Sequence, residues 1–263
     1  MSLVFASIVP HPPILIPNIG KEQISQIENT KQALEKLEQD LYSTQPEIII
    51  VISPHGEIDP FAFTINQADE YEADFENFGD FETKLKFRGD TILMALYKEK
   101  MIKSKINIIS NKKLDHGTAV PLYYLTKHLN NISIIPIYFS MLDSQAHFEF
   151  GKDLKEVILD SEKRIAVVAS ADLSHCVNEK APLKCHPAGK IFDQKIIKLI
   201  EDCDALGIIN FDQELAEKAQ ECGLRSIQIL AGIISDIKCQ PDILSYESPF
   251  GVGYAVVSIN VNY

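Results

Sequence analysis

Arg164-Ile-Ala-Val-Val-Ala-Ser-Ala-Asp-Leu-Ser-His-Cys176 decides the reading of this chain. Its first half is a short apolar, β-branched run of the kind that forms a buried strand. The run breaks at Ser-Ala-Asp, so an aspartate and a histidine follow just past a strand end. In open α/β folds that edge is where ligands bind. Other histidines occupy the same kind of place. His11 follows Leu3–Val9, His55 follows Ile48–Ile52, and His116 comes after Ile106–Ile109. Histidine delivered repeatedly to one sheet edge is the main functional signal.

Around these strands the pattern alternates with helices. Ile24, Ile27, Leu34, Leu37 and Leu41 recur at helical spacing over 21–42. Further helices are expected at 88–100, 118–129, 144–160, 187–201, 211–219 and 222–234, with Thr118 as the cap of the second of these and Pro121 in its first turn. Further strands are expected at 61–65, 132–138, 243–246 and 254–261, and Pro136 argues for an edge or bulge. Between Gln67 and Thr83 lie seven acids and no lysine or arginine, interleaved with Tyr71, Phe75, Phe78 and Phe81. That stretch reads either as a solvated loop or as a lid carrying an aromatic over the site. No linker or composition shift divides the chain. The expectation is one α/β domain over 1–263, with a mixed, mostly parallel central sheet and helices on both faces.

Composition narrows the function. A net charge of −12 and a pI near 5.0 argue against nucleic-acid binding. No apolar run is long enough to span a membrane. Five cysteines at irregular spacing, without a C-x-x-C, argue against a disulfide framework or zinc ribbon and for a reducing cytoplasm. Walker, Rossmann and G-x-S-x-G signatures are missing.

A single histidine is usually a packed, hydrogen-bonded residue. That reading suits His128 and His147, and His186 reads as a surface or capping residue. His11, His55 and His175 together read as metal ligands or acid/base groups. Neutral imidazole suits Fe(II), Zn and Cu, and two histidines plus one anionic ligand leave positions open for substrate and O₂. The third ligand is left open between Glu221, Cys222 and Glu247. A carboxylate or thiolate entering the apolar 222–234 helix is costly unless paired or metal-bound, which favours the 221–222 pair; Cys222 also reads as a small buried hydrophobe. Asp172 would orient an imidazole or cap the next segment. His116 would donate a proton or stabilise an anionic oxygen. Arg225 would clamp an anion or pair with Glu221.

Taken together and in order, His11-Pro-Pro13, Ser53-Pro-His-Gly56, Asp115-His-Gly117, Asp172-Leu-Ser-His175, Glu221-Cys-Gly-Leu-Arg225 and Phe250-Gly-Val-Gly-Tyr254 resemble the LigB-like superfamily of class III extradiol ring-cleavage dioxygenases. The resemblance is nearest to the branch of Memo-like proteins and the partners of AMMECR1 domains. It implies a single α/β domain holding non-haem Fe(II), with Zn as the alternative. His11 and His55 would be ligands, His175 the acid/base and His116 a neighbour of the substrate. Ring-cleaving members place a glutamate or histidine as third ligand; Memo-like members place a cysteine followed by glycine, as in Cys222-Gly223. The implied partners are a small aromatic substrate and O₂, and an AMMECR1-type or radical-SAM pathway protein. Two functions follow: an extradiol dioxygenase, favoured by a carboxylate ligand at Glu221, or a Memo-like metal or redox-binding protein acting through partners, favoured by a thiolate at Cys222. A zinc hydrolase on the same ligands is a third.

Overall fold

The computed structural model describes residues 2–90, 93 and 103–262. Ten strands form one mixed sheet. They are β1 (Leu3–Val9), β2 (Ile48–Ser53), β3 (Phe63–Asn66), β4 (Glu70–Phe75), β5 (Asp80–Gly89), β6 (Ile106–Ile109), β7 (Ser133–Tyr138), β8 (Ile165–Ser170), β9 (Lys238–Glu247) and β10 (Tyr254–Asn262). The order is β4-β5-β7-β2-β8-β1-β10-β9, with β3 on β7 and β6 on β3. The centre, β7-β2-β8-β1, is parallel throughout. The β10 and β9 strands close one side antiparallel.

β-Branched runs buried on both faces are what a parallel centre requires. Alternation then divides each strand between two cores. Ile48, Ile50 and Ile52 of β2 share a core with Phe150, Leu154 and Ile227, whereas Ile49 and Val51 share the other with Leu34, Leu37 and Val120. The helices that line those cores are α1 (Glu28–Thr44) and α2 (His116–Leu125) on one face, and α3 (Ser144–Leu159), α4 (Pro187–Glu201), α5 (Ala205–Ile209), α6 (Gln213–Ala219) and α7 (Leu224–Ile233) on the other. No described helix is long and apolar enough to cross a membrane.

Several expectations are corrected. The 21–42 helix begins as a 3₁₀ segment, Lys21–Ile27, before α1. The α2 helix is capped by Asp115, whose carboxylate accepts the Thr118 N–H, and it ends at Leu125. Pro136 lies on an interior strand, not an edge. On that side of β7, β5 pairs only with Ser133 and Ile134, and β3 only with Ile137 and Tyr138. The proline fills the gap between two partners, where no donor is required. The acidic 67–83 stretch is a hairpin rather than a loop. Tyr71, Ala73 and Phe75 point into the core and Glu70 and Glu72 point out. Its acids meet Lys112, Lys113, Lys84 and Lys86. Of the expected 88–100 helix, Arg88 and Gly89 end β5, and nearly all the rest lies outside the described residues. The short α5 helix has no counterpart among the sequence expectations.

The α3 and α7 helices approach to backbone contact. A Cβ on Gly151 would lie 2.1 Å from the Ile229 carbonyl oxygen, and one on Gly232 2.1 Å from that of Phe148. Alanine at either position gains about 1 kcal/mol of helix propensity, but the clash with backbone costs roughly 1–3 kcal/mol. Gly151→Ala and Gly232→Ala should therefore each lower the urea midpoint. A midpoint raised by either change would show that the helices are free to separate.

Candidate metal centre

Three neighbouring parallel strands deliver the site. β8 lies between β1 and β2, and Val9 pairs with Ser170 while Ile52 pairs with Ala169. The strands therefore stop at one level. His11, His55 and Asp172 each stand two residues beyond their strand, and His175 five beyond. His116 arrives differently, as the first residue of α2. Asp115 fixes that helix start by accepting from Thr118 N–H (3.0 Å), Thr118 Oγ1 (2.7 Å) and Ser53 Oγ (2.5 Å). A Cβ on Gly117 would meet Ser53 Oγ at 2.5 Å and His55 Cδ2 at 3.2 Å, so only glycine lets α2 lie against the end of β2.

The rings converge. His11 Nε2 and His55 Nε2 are 3.0 Å apart, and Cys222 Sγ is 3.5 Å from His11 Nε2. The three donor atoms all lie within 4.8 Å of one another. His116 stacks on His55 with centroids 4.3 Å apart, and Phe78, from the turn of the β4–β5 hairpin, meets His116 edge-on at 5.3 Å.

The tautomer of His11 follows from the backbone. Pro121 has no N–H, so the Gly117 carbonyl lacks its partner one turn later in α2. The Ser170 hydroxyl donates to that carbonyl (2.5 Å), so its oxygen accepts from His11 Nδ1–H (2.8 Å). The His11 Nε2 lone pair then points at His55 and Cys222. Asp172 does not orient a ring nitrogen in this way. Its Oδ1 accepts the backbone N–H of His11 (2.8 Å), and its Oδ2 stands 3.8 Å from His11 Nε2. His175 donates Nδ1–H to the Gln220 carbonyl (2.8 Å), which leaves its Nε2 as a base.

Burial, and then the neighbouring histidines, hold the His11 imidazole well below its ordinary value; burial takes His55 down to about 4. Burial lowers His116 and His175 as well. Neutral imidazole is the ligating form. Burial also pushes the Cys222 thiol up, with Asp172 and Glu221 adding to it, and lifts Asp172 to about 7. In the absence of a cation the site keeps its proton on sulfur. A bound cation favours the thiolate and displaces that proton.

Of the three candidate third ligands, the structure brings Cys222 to the histidines. Glu221 accepts the Leu224 N–H (2.5 Å) at the start of α7, and Arg225 is its neighbouring charge. Arg225 also lies over the Phe139 ring, at 5.6 Å. Glu247 accepts from Thr30 N–H (2.7 Å), Thr30 Oγ1 (2.6 Å) and Asn29 at the start of α1. The remaining histidines are structural. His128 pairs with Glu38 (3.0 Å), His147 lies between the Asp143 and Ser140 carbonyls, and His186 caps α4 through Ala188 N–H. Sequence reasoning gave no role to Ser170, Ser53 or the Gln220 carbonyl, and it put Pro121 in a first turn, whereas the residue lies inside α2. Ser170 at the very end of the organising strand was the one available signal.

With this geometry in view, relatives give the class. The chain belongs to the family described as the catalytic LigB subunit of aromatic ring-opening dioxygenase, whose profile matches residues 5–257. Protein CA_C1420 of Clostridium acetobutylicum is 31% identical across 98% of this chain, which spans 58% of that relative's length. The 2-aminophenol 1,6-dioxygenase beta subunit of a Pseudomonas species is 24% identical over 98% of this chain and 94% of its own. A MEMO1 family protein of Methanococcoides burtonii is 22% identical over 52% of this chain and 54% of its own. Among solved structures, an uncharacterized protein of Escherichia coli K12 shares the fold, with a TM-score of 0.67 over 97% of this chain and 99% of its own, at 13% identity.

Two outcomes test this geometry. Ser170→Ala removes the acceptor for His11 Nδ1–H and should weaken Fe(II) binding about 10–100-fold, the usual cost of losing a partner behind a ligand. Affinity equal to wild type, measured anaerobically, would free His11 of that control. The second outcome concerns pH. An unfolded histidine takes a proton near 6.5, whereas folded His55 resists until about 4. The unfolded chain binds the extra proton between these values, so His55 removes metal-free stability as pH falls through that window. The fall in Tm between pH 6.5 and 4.5 should be shallower in His55→Gln than in wild type; parallel curves would contradict the cause.

Proposed function

We propose that this chain is a Memo-like metal-binding and redox member of its family, with a single iron held by His11, His55 and Cys222. The observation that carries the reading is the donor set. A thiol joins two neutral imidazoles, while the adjacent carboxylate of Glu221 is engaged by a helix terminus. Two imidazoles and one sulfur fit a borderline-soft first-row ion, with Fe(II) the first choice and Zn the alternative. When bound, the ion supplies Lewis acidity and, if it is iron, a one-electron couple.

The chain's own residues prepare the site for that ion. Ser170 holds the His11 tautomer, and the Asp172 carboxylate pins the His11 backbone. The His175 Nε2 is free to take and return a proton near the cluster, because its Nδ1–H is committed to Gln220. His116 and Phe78 present an aromatic wall beside His55. The resemblance suggests an AMMECR1-type domain or a radical-SAM protein as partner, and co-purification would read that out.

A second reading, extradiol cleavage of a catechol-like or aminophenol-like aromatic with O₂, has two supports. These are the free base at His175 and the full-length likeness to the Pseudomonas dioxygenase chain.

Anaerobic reconstitution separates the two readings. One Fe(II) per chain is expected in wild type and in Glu221→Gln. Cys222→Ala should bind at least about tenfold more weakly, consistent with the loss of one ligand. Cobalt-substituted wild type should show a thiolate-to-metal charge-transfer band that Cys222→Ser lacks. No oxygen uptake is expected with a panel of catechols and aminophenols. Oxygen uptake with a ring-opened product, lost in His175→Ala while iron still binds, would replace the proposal with the second reading. Loss of iron in Glu221→Gln but not in Cys222→Ala would overturn the ligand set.

A further inference from the structure

Away from the metal centre, a cavity of about 470 Å³ opens between α4, α5, α7 and the β9–β10 hairpin. Its walls are aliphatic, with Ile200, Ile227, Leu230 and Ile259 among them, and two cysteines also line it: Cys203 and Cys239. Cys203 is exposed and Cys239 half-buried, and both are free thiols. The Cys203 Sγ donates to the Cys239 carbonyl oxygen at 3.4 Å, which sets the Cys203 thiol against the residue that carries the second one. They come from distant elements. Cys203 follows the Asp202 cap of α4, and Cys239 lies on β9, the last strand of the sheet.

The conformation at Cys203 is a second, independent observation. Its φ of +51° is left-handed. A helix ending of this type usually takes glycine or asparagine, because a Cβ is strained there. The local turn gives no reason for cysteine, whereas the sulfur it places against Cys239 does.

We infer that Cys203 and Cys239 form a reversible dithiol–disulfide site that staples the end of α4 to the outer strand beside the apolar cavity. The oxidant is a low-molecular-weight disulfide. The exposed Cys203 thiolate attacks one of its sulfurs, breaking that S–S bond and expelling the first thiolate, which takes a proton. The Cys239 sulfur, after giving up its own proton, then attacks Cys203 and releases the second thiol. Two protein thiols are oxidised and one disulfide is reduced to two thiols, so atoms and electrons balance. Partial desolvation, and then the neighbouring Cys239, raise the Cys203 thiol above its ordinary value, so exchange is slow at neutral pH and the site is read at equilibrium.

The test uses the full folded chain equilibrated in glutathione buffers of graded oxidised-to-reduced ratio, then alkylated and mapped by mass spectrometry. The expected result is a Cys203–Cys239 linked peptide pair about 2 Da lighter than the two reduced peptides, the mass of the two hydrogens lost. It should be reversed by dithiothreitol, absent from Cys203→Ser and Cys239→Ser, and unchanged in Cys185→Ser. The cross-linked chain should melt several degrees higher than the reduced one. Only mixed glutathione adducts at these two residues, or a cross-link that forms in urea but not in the folded chain, would overturn the inference.

Discussion

Three buried strands that stop at the same level are the constraint on which the rest depends. β1, β8 and β2 are parallel neighbours, apolar on both faces, and their registers leave no freedom to slide. A one-residue slip would move every side chain to the opposite core. The loops that leave these strands therefore start from fixed points, and each carries a polar residue two positions on. His11, Asp172 and His55 need no long-range design beyond that. What brings the fourth loop in is a close approach. A Cβ on Gly223 would lie 2.5 Å from Ala171 Cβ and 2.7 Å from the Asp172 carbonyl oxygen, so glycine lets the turn before α7 settle on the end of β8 and place Cys222 beside His11.

The chemistry of the centre follows from how its protons are held. Burial keeps the imidazoles neutral, and a serine bridging a proline-freed carbonyl and His11 selects which nitrogen faces inward. The same burial raises the Cys222 thiol well above its ordinary value and lifts Asp172 to about 7. Neutral nitrogens stand beside a thiol whose proton a cation would displace. This is also why Glu221 is poorly placed to be the anionic ligand. Its carboxylate already satisfies a helix N–H that would otherwise be orphaned.

The acidic hairpin shows how a surface charge run and a core strand coexist in one segment. Glu70-Tyr-Glu-Ala-Asp-Phe75 alternates strictly, and the inward side chains are buried beneath α2 while the acids meet lysines of β5 and of the 112–113 segment. Those exposed pairs contribute little to stability. The buried tyrosine and phenylalanine hold the hairpin, and the turn beyond them sets Phe78 against His116.

Much of this architecture was legible in the sequence. Short β-branched runs marked the central strands, and histidines following them marked the edge where their rings converge, because a strand's end fixes where the next residues can be. The alternation in 70–75 was equally readable but was obscured by its charge. Other features belong to tertiary structure alone. Strand order, which makes β8 the neighbour of both β1 and β2, is a matter of long-range pairing. Whether Glu221 or Cys222 faces the imidazoles depends on where α7 begins, and the apolar pattern put that start at Cys222 whereas packing puts it at Leu224. His116 reaches the site through a helix start, not a strand end, because Asp115 caps α2 against Ser53. By itself the sequence determined the elements and the residue types available for chemistry. The folded chain decided which of them share a proton, a ring face or one cluster of donor atoms, since those relations depend on separations of a few ångströms between residues far apart along the chain.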